Sequence, residues 1–124
     1  MLLGAEGGGR DKIKRRDMGE IVGKWADFVV CSNVDPYEDD PFPIADDIAV
    51  AAEKMGKKRG EDLFVVLDRR EGIKKALSLC KLGDVVMFTG KGAEQSMIIN
   101  GETIPWDDRK VVEEEIKLLE DVKK

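Results

Sequence analysis

The sequence predicts an α/β protein: an open, mostly parallel sheet with helices on both faces and an antiparallel β-hairpin at its C-terminal edge. Three observations lead there. Short apolar runs of β-forming residues alternate three times with stretches whose apolar residues recur every three or four positions. That is the order expected of strands joined by helical crossovers. The run Leu63-Phe64-Val65-Val66-Leu67 is apolar at every position, as in a parallel strand covered on both faces. Finally, Asn100-Gly101 separates Met97-Ile98-Ile99 from Glu102-Thr103-Ile104, and Asn-Gly suits the type I′ turn of a tight hairpin.

The elements follow in order. Leu2-Leu3-Gly4-Ala5 reads as the end of a buried strand with its beginning truncated, so the chain is expected to be cut from a longer protein. Met18, Ile21, Val22 and Trp25 recur at helical spacing and predict an amphipathic helix over 13–25. Phe28-Val29-Val30-Cys31 is a buried strand. The turn-rich stretch 33–40 ends in Asp40-Pro41, a cap followed by a proline at the first helical position. The helix it opens carries Ile44, Ile48, Ala52 and Met55 on one face and stops near Gly56. After a charged surface loop over 57–62 comes the strand 63–67. Asp68 and Glu71 have capping-box spacing for a helix bearing Ile73, Ala76, Leu77 and Cys80. Gly83-Asp84 turns the chain into a strand, Val85-Val86-Met87-Phe88. Beyond the hairpin, Asp107-Asp108 opens a last helix with Val112, Ile116 and Leu119 aligned.

The 124 residues fit one domain with a substantial core, 42% of them hydrophobic and 38% charged. The net charge of −5, from 21 cations and 26 anions, disfavours nucleic acid as a partner. No apolar run is long enough to span a membrane and the first residues are too short for a signal sequence, so a cytoplasmic location is expected. Cys31 and Cys80 have no metal-ligand spacing and read as buried free thiols. With no histidine in the chain, His-based triads and His-ligated metals are excluded.

In open α/β sheets ligands bind beyond the carboxyl ends of the strands. The loops at those ends are 4–12, 32–40 and 89–95, and all should gather on one rim. The first combines Gly7-Gly8-Gly9 with five cations at 10–16 and runs into a helix N-terminus, a combination suited to phosphate or carboxylate. The last holds Thr89-Gly90-Lys91-Gly92-Ala93-Glu94. Neither has the spacing of a dinucleotide fingerprint or of a P-loop, so no nucleotide-hydrolysing engine is encoded here.

Taken together, GGGRDKIKRRDMG at 7–19, DPYEDDP at 35–41, DRREGIKKAL at 68–77, GDVVMFTGKGAEQS at 83–96 and IPWDDRKVVEE at 104–114 resemble the C-terminal domain of the Mur ligases. These are the ATP-dependent amide ligases of peptidoglycan precursor assembly, concerned with cell wall biogenesis, cell shape and cell division. The resemblance covers essentially the whole chain and is strongest to the members that add the third amino acid to UDP-N-acetylmuramoyl-L-alanyl-D-glutamate. It implies a Rossmann-like domain over 1–124 that helps to bind the incoming amino acid. The UDP-sugar domain and the central ATPase domain, which holds ATP and Mg2+, are absent from this chain. It implies an acyl-phosphate mechanism for the full ligase, no cofactor or metal in this chain, no catalytic residue in it and no activity for it alone.

Residue by residue, the resemblance implies that Arg10 contacts the amino-acid substrate, as a guanidinium at a glycine-rich helix entry can by holding a carboxylate bidentately. Gly90 and Glu94 match substrate-pocket residues, and Glu94 could take the ammonium of a diamino acid. Asp11, Lys12, Lys14, Asp68 and Arg69 are weaker expectations for nucleotide or phosphate contact, and Asp68 could be only a helix cap. One departure lies at 34–37. Family members selecting meso-diaminopimelate have Asp-Asn-Pro-Arg, with the arginine reading the second carboxylate, where this chain has Val34-Asp35-Pro36-Tyr37. Losing that charge-assisted bond costs about 1.5–3 kcal/mol. A lysine-like substrate, its amine facing Asp35 or Glu94 with Tyr37 alongside, is then expected beside diaminopimelate. A second departure is Ala93, where the family usually has histidine. Two other readings stand open at this point: a stand-alone module that binds a small molecule or anion or docks on a partner, and a truncated product with no function of its own.

Overall fold

The computed structural model describes residues 1–7 and 12–123, the last two of them by backbone only. Its elements run β1 (Leu2–Leu3), α1 (Lys12–Trp25), β2 (Val29–Cys31), α2 (Pro41–Lys54), β3 (Leu63–Val65), α3 (Arg69–Leu79), β4 (Ser96–Ile99), β5 (Glu102–Pro105) and α4 (Asp108–Lys123). Local chemistry sets several of their ends. The Asp40 carboxylate accepts from the Phe42 amide at 3.0 Å, and that of Asp68 accepts from the Glu71 amide at 3.0 Å, each satisfying an N–H with no partner inside its helix. Asn100 (φ 53°) and Gly101 (φ 74°) are both left-handed, as the two-residue turn between β4 and β5 requires.

The sheet is parallel, in the order β1-β2-β3, with Leu2 opposite Val30 and Cys31 opposite Val65. Alternation along the strands divides the core in two. Leu3, Val29, Cys31 and Leu63 join Val22, Ala45, Ile48, Ala49 and Ala52 on the α1–α2 side, while Leu2 and Val30 join Ile73, Ala76 and Val111 on the α3–α4 side. The expected three-layer α/β/α architecture is present.

Several details differ from expectation. The run 85–88 adds one parallel bridge, Leu2 to Phe88, rather than a strand. The Leu2 amide donates to Met87 and the Thr89 amide to Leu2, and a two-residue β1 offers no further ladder. The hairpin is a separate two-stranded sheet, not an edge of the parallel one. In α1 the buried residues are Arg15, Gly19, Val22 and Gly23, whereas Ile21 is 60% and Trp25 75% exposed. Small residues explain this. A Cβ on Gly19 would collide with the carbonyl of Ile48, and one on Gly23 would lie 2.9 Å from the Ala52 Cα. Backbone-to-backbone approach therefore decides which way α1 faces, not its largest apolar side chains. In α4 the buried positions are Asp108, Val111 and Glu115, with Ile116 and Leu119 partly exposed, because Arg70 draws Glu115 inward at 2.8 Å. Met55 and Cys80 are also exposed, so only Cys31 is a buried thiol. Burial pushes the Cys31 thiol up to about 12, against a smaller lowering by Arg59.

An apolar groove of about 510 Å³ is lined by residues including Ile21, Trp25, Phe28, Leu79, Val85 and Met87. It lies at the amino ends of the strands, opposite the rim on which the ligand loops were expected. No helix among the described residues is long and apolar enough to cross a membrane.

Candidate functional site

The loops that leave the carboxyl ends of β1 and β2 and the segment after Phe88 meet on one rim and are tied by main-chain bonds. The Gly7 amide donates to the Asp35 carbonyl at 2.8 Å. The Tyr37 amide donates to the Ile98 carbonyl and the Gly101 amide to the Tyr37 carbonyl, both at 3.1 Å. The turn over 34–37 is thus joined to the first loop and to the hairpin. Tyr37 has a left-handed backbone, φ 58°, a conformation costly for a side chain this large and held by the bonds on either side of it. Gly90 has φ +104°, and a Cβ there would stand 2.6 Å from the Val34 Cγ2, so residues 34 and 90 are pressed together at a point that only glycine permits.

Two buried cations lock this arrangement. The Lys91 ammonium donates to both oxygens of Asp35, at 2.9 and 3.0 Å, and sits 2.7 Å from Glu94 Oε2. Its side chain is 1% exposed, against 56% for that of Glu94. Asp35 Oδ1 also accepts from the Ile98 amide at 2.9 Å. Burial works against the Lys91 charge, but hydrogen bonds and attraction from Glu94 and Asp35 outweigh it and hold the ammonium above its usual range. The second cation is Arg69. Its guanidinium grips Asp108 at 2.8 and 2.6 Å and donates to the carbonyls of Asn33 and Thr89 at 3.0 and 2.9 Å. The Trp106 indole donates to Asp108 Oδ1 at 2.6 Å. Burial raises the Asp108 carboxyl, but the bonds from Arg69 and Trp106 and the charges of Arg69 and Lys91 bring it below the usual carboxylate range.

The expected site residues that the structure describes fall into three groups. Tyr37 lies in the 34–37 turn, and Gly90 and Glu94 in the segment that meets it, with the Glu94 side chain 56% exposed. Asp35 and Arg69 share the rim but face inward. Asp35 is 6% exposed and Arg69 2%, and their polar atoms are engaged within the protein. Arg69, expected as a phosphate contact, is placed as a strut between two loops and α4. Lys12 and Lys14 are exposed on the first turn of α1, and Asp68 is the exposed cap of α3. Arg10 and Asp11 lie outside the described residues. Arg15, one of the five clustered cations, is turned between α1 and α2 and pairs with Asp47 at 3.0 Å.

Sequence reasoning missed the roles of Lys91, Trp106 and Asp108. Flanked by glycines, Lys91 has the look of a cation offered to a ligand, yet its charge is held by two carboxylates of the protein itself. The signal available was the Asp35–Lys91 complementarity, which becomes visible only once the two loops are known to touch.

A family model described as "Mur ligase, glutamate ligase domain" matches residues 1–92. The chain is 39% identical over 108 residues to a UDP-N-acetylmuramoyl-L-alanyl-D-glutamate–2,6-diaminopimelate ligase of Syntrophomonas wolfei, covering 87% of this chain and 22% of that protein. It is 40% identical over 106 residues to a UDP-N-acetylmuramyl-tripeptide synthetase of Treponema denticola, covering 86% and 20%. A solved structure of a UDP-N-acetylmuramoyl-L-alanyl-D-glutamate–2,6-diaminopimelate ligase superposes with a TM-score of 0.80 at 32% identity, over 96% of this chain and 23% of that one. The chain spans about a fifth of the length of these relatives. With matches of this extent in both sequence and fold, and the motif-bearing loops brought onto one rim, the chain belongs to the Mur ligase family.

Proposed function

We propose that this chain is the C-terminal, amino-acid-binding domain of a cytoplasmic, ATP-dependent ligase. That ligase adds the third amino acid to UDP-N-acetylmuramoyl-L-alanyl-D-glutamate, and its UDP-sugar and ATPase domains lie elsewhere in a longer polypeptide. The observation that carries the reading is the meeting of the 34–37 turn with the 89–94 loop. It presses Val34 against Gly90 and links Asp35 to Glu94 through Lys91, at the carboxyl ends of the strands, where an α/β sheet binds its ligand.

Lys91 and Arg69 are turned inward, and no cluster of three or more candidate metal ligands occurs among the described residues. In this reading ATP and Mg2+ belong to the central domain, as the family resemblance implies, where ATP would activate the D-glutamyl carboxylate as an acyl phosphate. This chain's part is to bind and orient the incoming amine, with Lys12, Lys14 and Asp11 as further closing contacts and Arg10 on the amino acid's carboxylate. Glu94 takes a side-chain ammonium, which lysine and diaminopimelate both offer. Tyr37 brings no cation for a distal carboxylate, so a lysine-like substrate is favoured over diaminopimelate.

Amide formation and ATP turnover should be assayed on the 124-residue chain and on the full-length ligase, with lysine and diaminopimelate as acceptors. Ligation by the full-length protein and none by the isolated chain is expected. Robust activity of the chain alone overturns the dependence on other domains. Tight binding of lysine, diaminopimelate or ATP to the chain alone, measured by calorimetry, favours a free-standing binding module instead.

A further inference from the structure

We infer that Lys91 is a positioning residue for substrate recognition, fixing the Glu94 carboxylate and the 34–37 turn relative to each other so that they present one preformed half-site. The inference rests on the amino-acid-binding reading above and goes beyond it. That reading treats Glu94 as a ligand contact and assigns Lys91 no role.

The geometry is unusual for a surface loop. An ammonium has three N–H donors, and Lys91 has three carboxylate oxygens within reach: Asp35 Oδ1 at 2.9 Å, Asp35 Oδ2 at 3.0 Å and Glu94 Oε2 at 2.7 Å. Its side chain is 1% exposed and that of Asp35 9%. The Glu94 side chain, by contrast, is 56% exposed. One of its oxygens is anchored from beneath while the carboxylate as a whole remains open to an incoming cation. An exposed glutamate without such an anchor samples many rotamers, and a ligand that binds it must first restrict them.

The same ammonium fixes the other side of the half-site. Asp35 is held to Lys91 and to the Ile98 amide, which settles where the left-handed Tyr37 two residues later can lie. The loop cannot shift independently, because Gly90 is pressed against Val34 and the Glu94 amide donates back to the Lys91 carbonyl at 3.0 Å. Three close acceptors do more than pack the rim; they define the direction of a solvent-facing carboxylate.

The test uses the full-length ligase, comparing wild type with Lys91→Met, Lys91→Arg, Glu94→Gln and the double variant Lys91→Met/Glu94→Gln. Folding of each is checked by thermal melting. For Lys91→Met, KM for the diamino acid should rise about tenfold to a hundredfold, the loss of one well-placed charge-assisted bond. Its kcat and its KM for ATP should stay near wild type. The double variant should lose less than the product of the two single losses, since both changes remove the Lys91–Glu94 interaction, and Lys91→Arg should recover part of the loss. If Lys91→Met and Glu94→Gln multiply, or if Lys91→Met lowers kcat and raises every KM together, Lys91 merely supports the fold and the inference is wrong. Should Lys91→Met fail to fold, Lys91→Arg carries the test, because it keeps the charge and alters the donor geometry. A raised amino-acid KM with unchanged kcat then supports the inference, and wild-type KM overturns it. A wild-type ligase that joins no amino acid at all would instead refute the functional reading on which this rests.

Discussion

Lys91, Arg69 and Asp35 are charged residues in loops, and in a sequence such residues read as solvated or as ligand contacts. All three are buried here, and each has partners from a distant part of the chain. A buried charge is tolerable when its hydrogen-bonding capacity is filled, and removing one partner leaves the other uncompensated. Asp108→Asn should therefore destabilise the protein at neutral pH by about 3–5 kcal/mol, read from urea unfolding. The pH dependence has a definite sign. The folded state holds the Asp108 carboxyl below its usual range, so its contribution is fully present above the unfolded value of about 3.9 and is lost as pH falls through the lower folded one. The stability gap between wild type and Asp108→Asn should narrow below about pH 4. A gap that stays constant on acidification would remove Asp108 from the network. None of this could be read from residue types alone. The Asp68 cap could, because a side chain that bonds three residues along its own helix needs no tertiary information.

At the scale of elements, the caps, β2, β3 and the buried faces of α2 and α3 were legible, while the faces of α1 and α4 were not. Continuous apolar runs of β-forming residues located β2 and β3, and Asn100-Gly101 located the hairpin, since both signals are local. The buried faces of α1 and α4 were shifted because the count used large apolar residues. In α1 the contact with α2 is made by Gly19 and Gly23, which carry no hydrophobic signal, and in α4 an ion pair turns Glu115 inward. Gly19→Ala puts a methyl against the Ile48 carbonyl, and separating α1 from α2 to relieve it should cost about 1–3 kcal/mol. Urea unfolding of this variant at wild-type stability would show that the two helices are not packed as closely as described. The run 85–88 was overread for a different reason: its β propensity is genuine, but a strand needs a neighbour of matching length and β1 has two residues.

Across the molecule, the described parts of the loops after β1 and β2 and the segment after Phe88 come together because parallel strands send their following loops to the same end. That much of the candidate site was present in the order of elements. What the order could not reveal is that two inward-facing cations staple the rim, leaving the Glu94 carboxylate exposed. The rim competes with a second concavity, the apolar groove around Trp25 and Val85 at the far end of the strands. The groove is lined mainly by apolar side chains, with Asp27, Lys81 and Asp84 among its lining residues, whereas the rim offers a carboxylate anchored by a buried ammonium. A crystal structure of the full-length ligase with lysine bound separates the two most directly. Lysine lodged between the 34–37 turn and the 89–94 loop, its ammonium within hydrogen-bonding distance of Glu94, is the expected result. Lysine bound in the groove, or more than a solvent layer away from Glu94, would contradict the account.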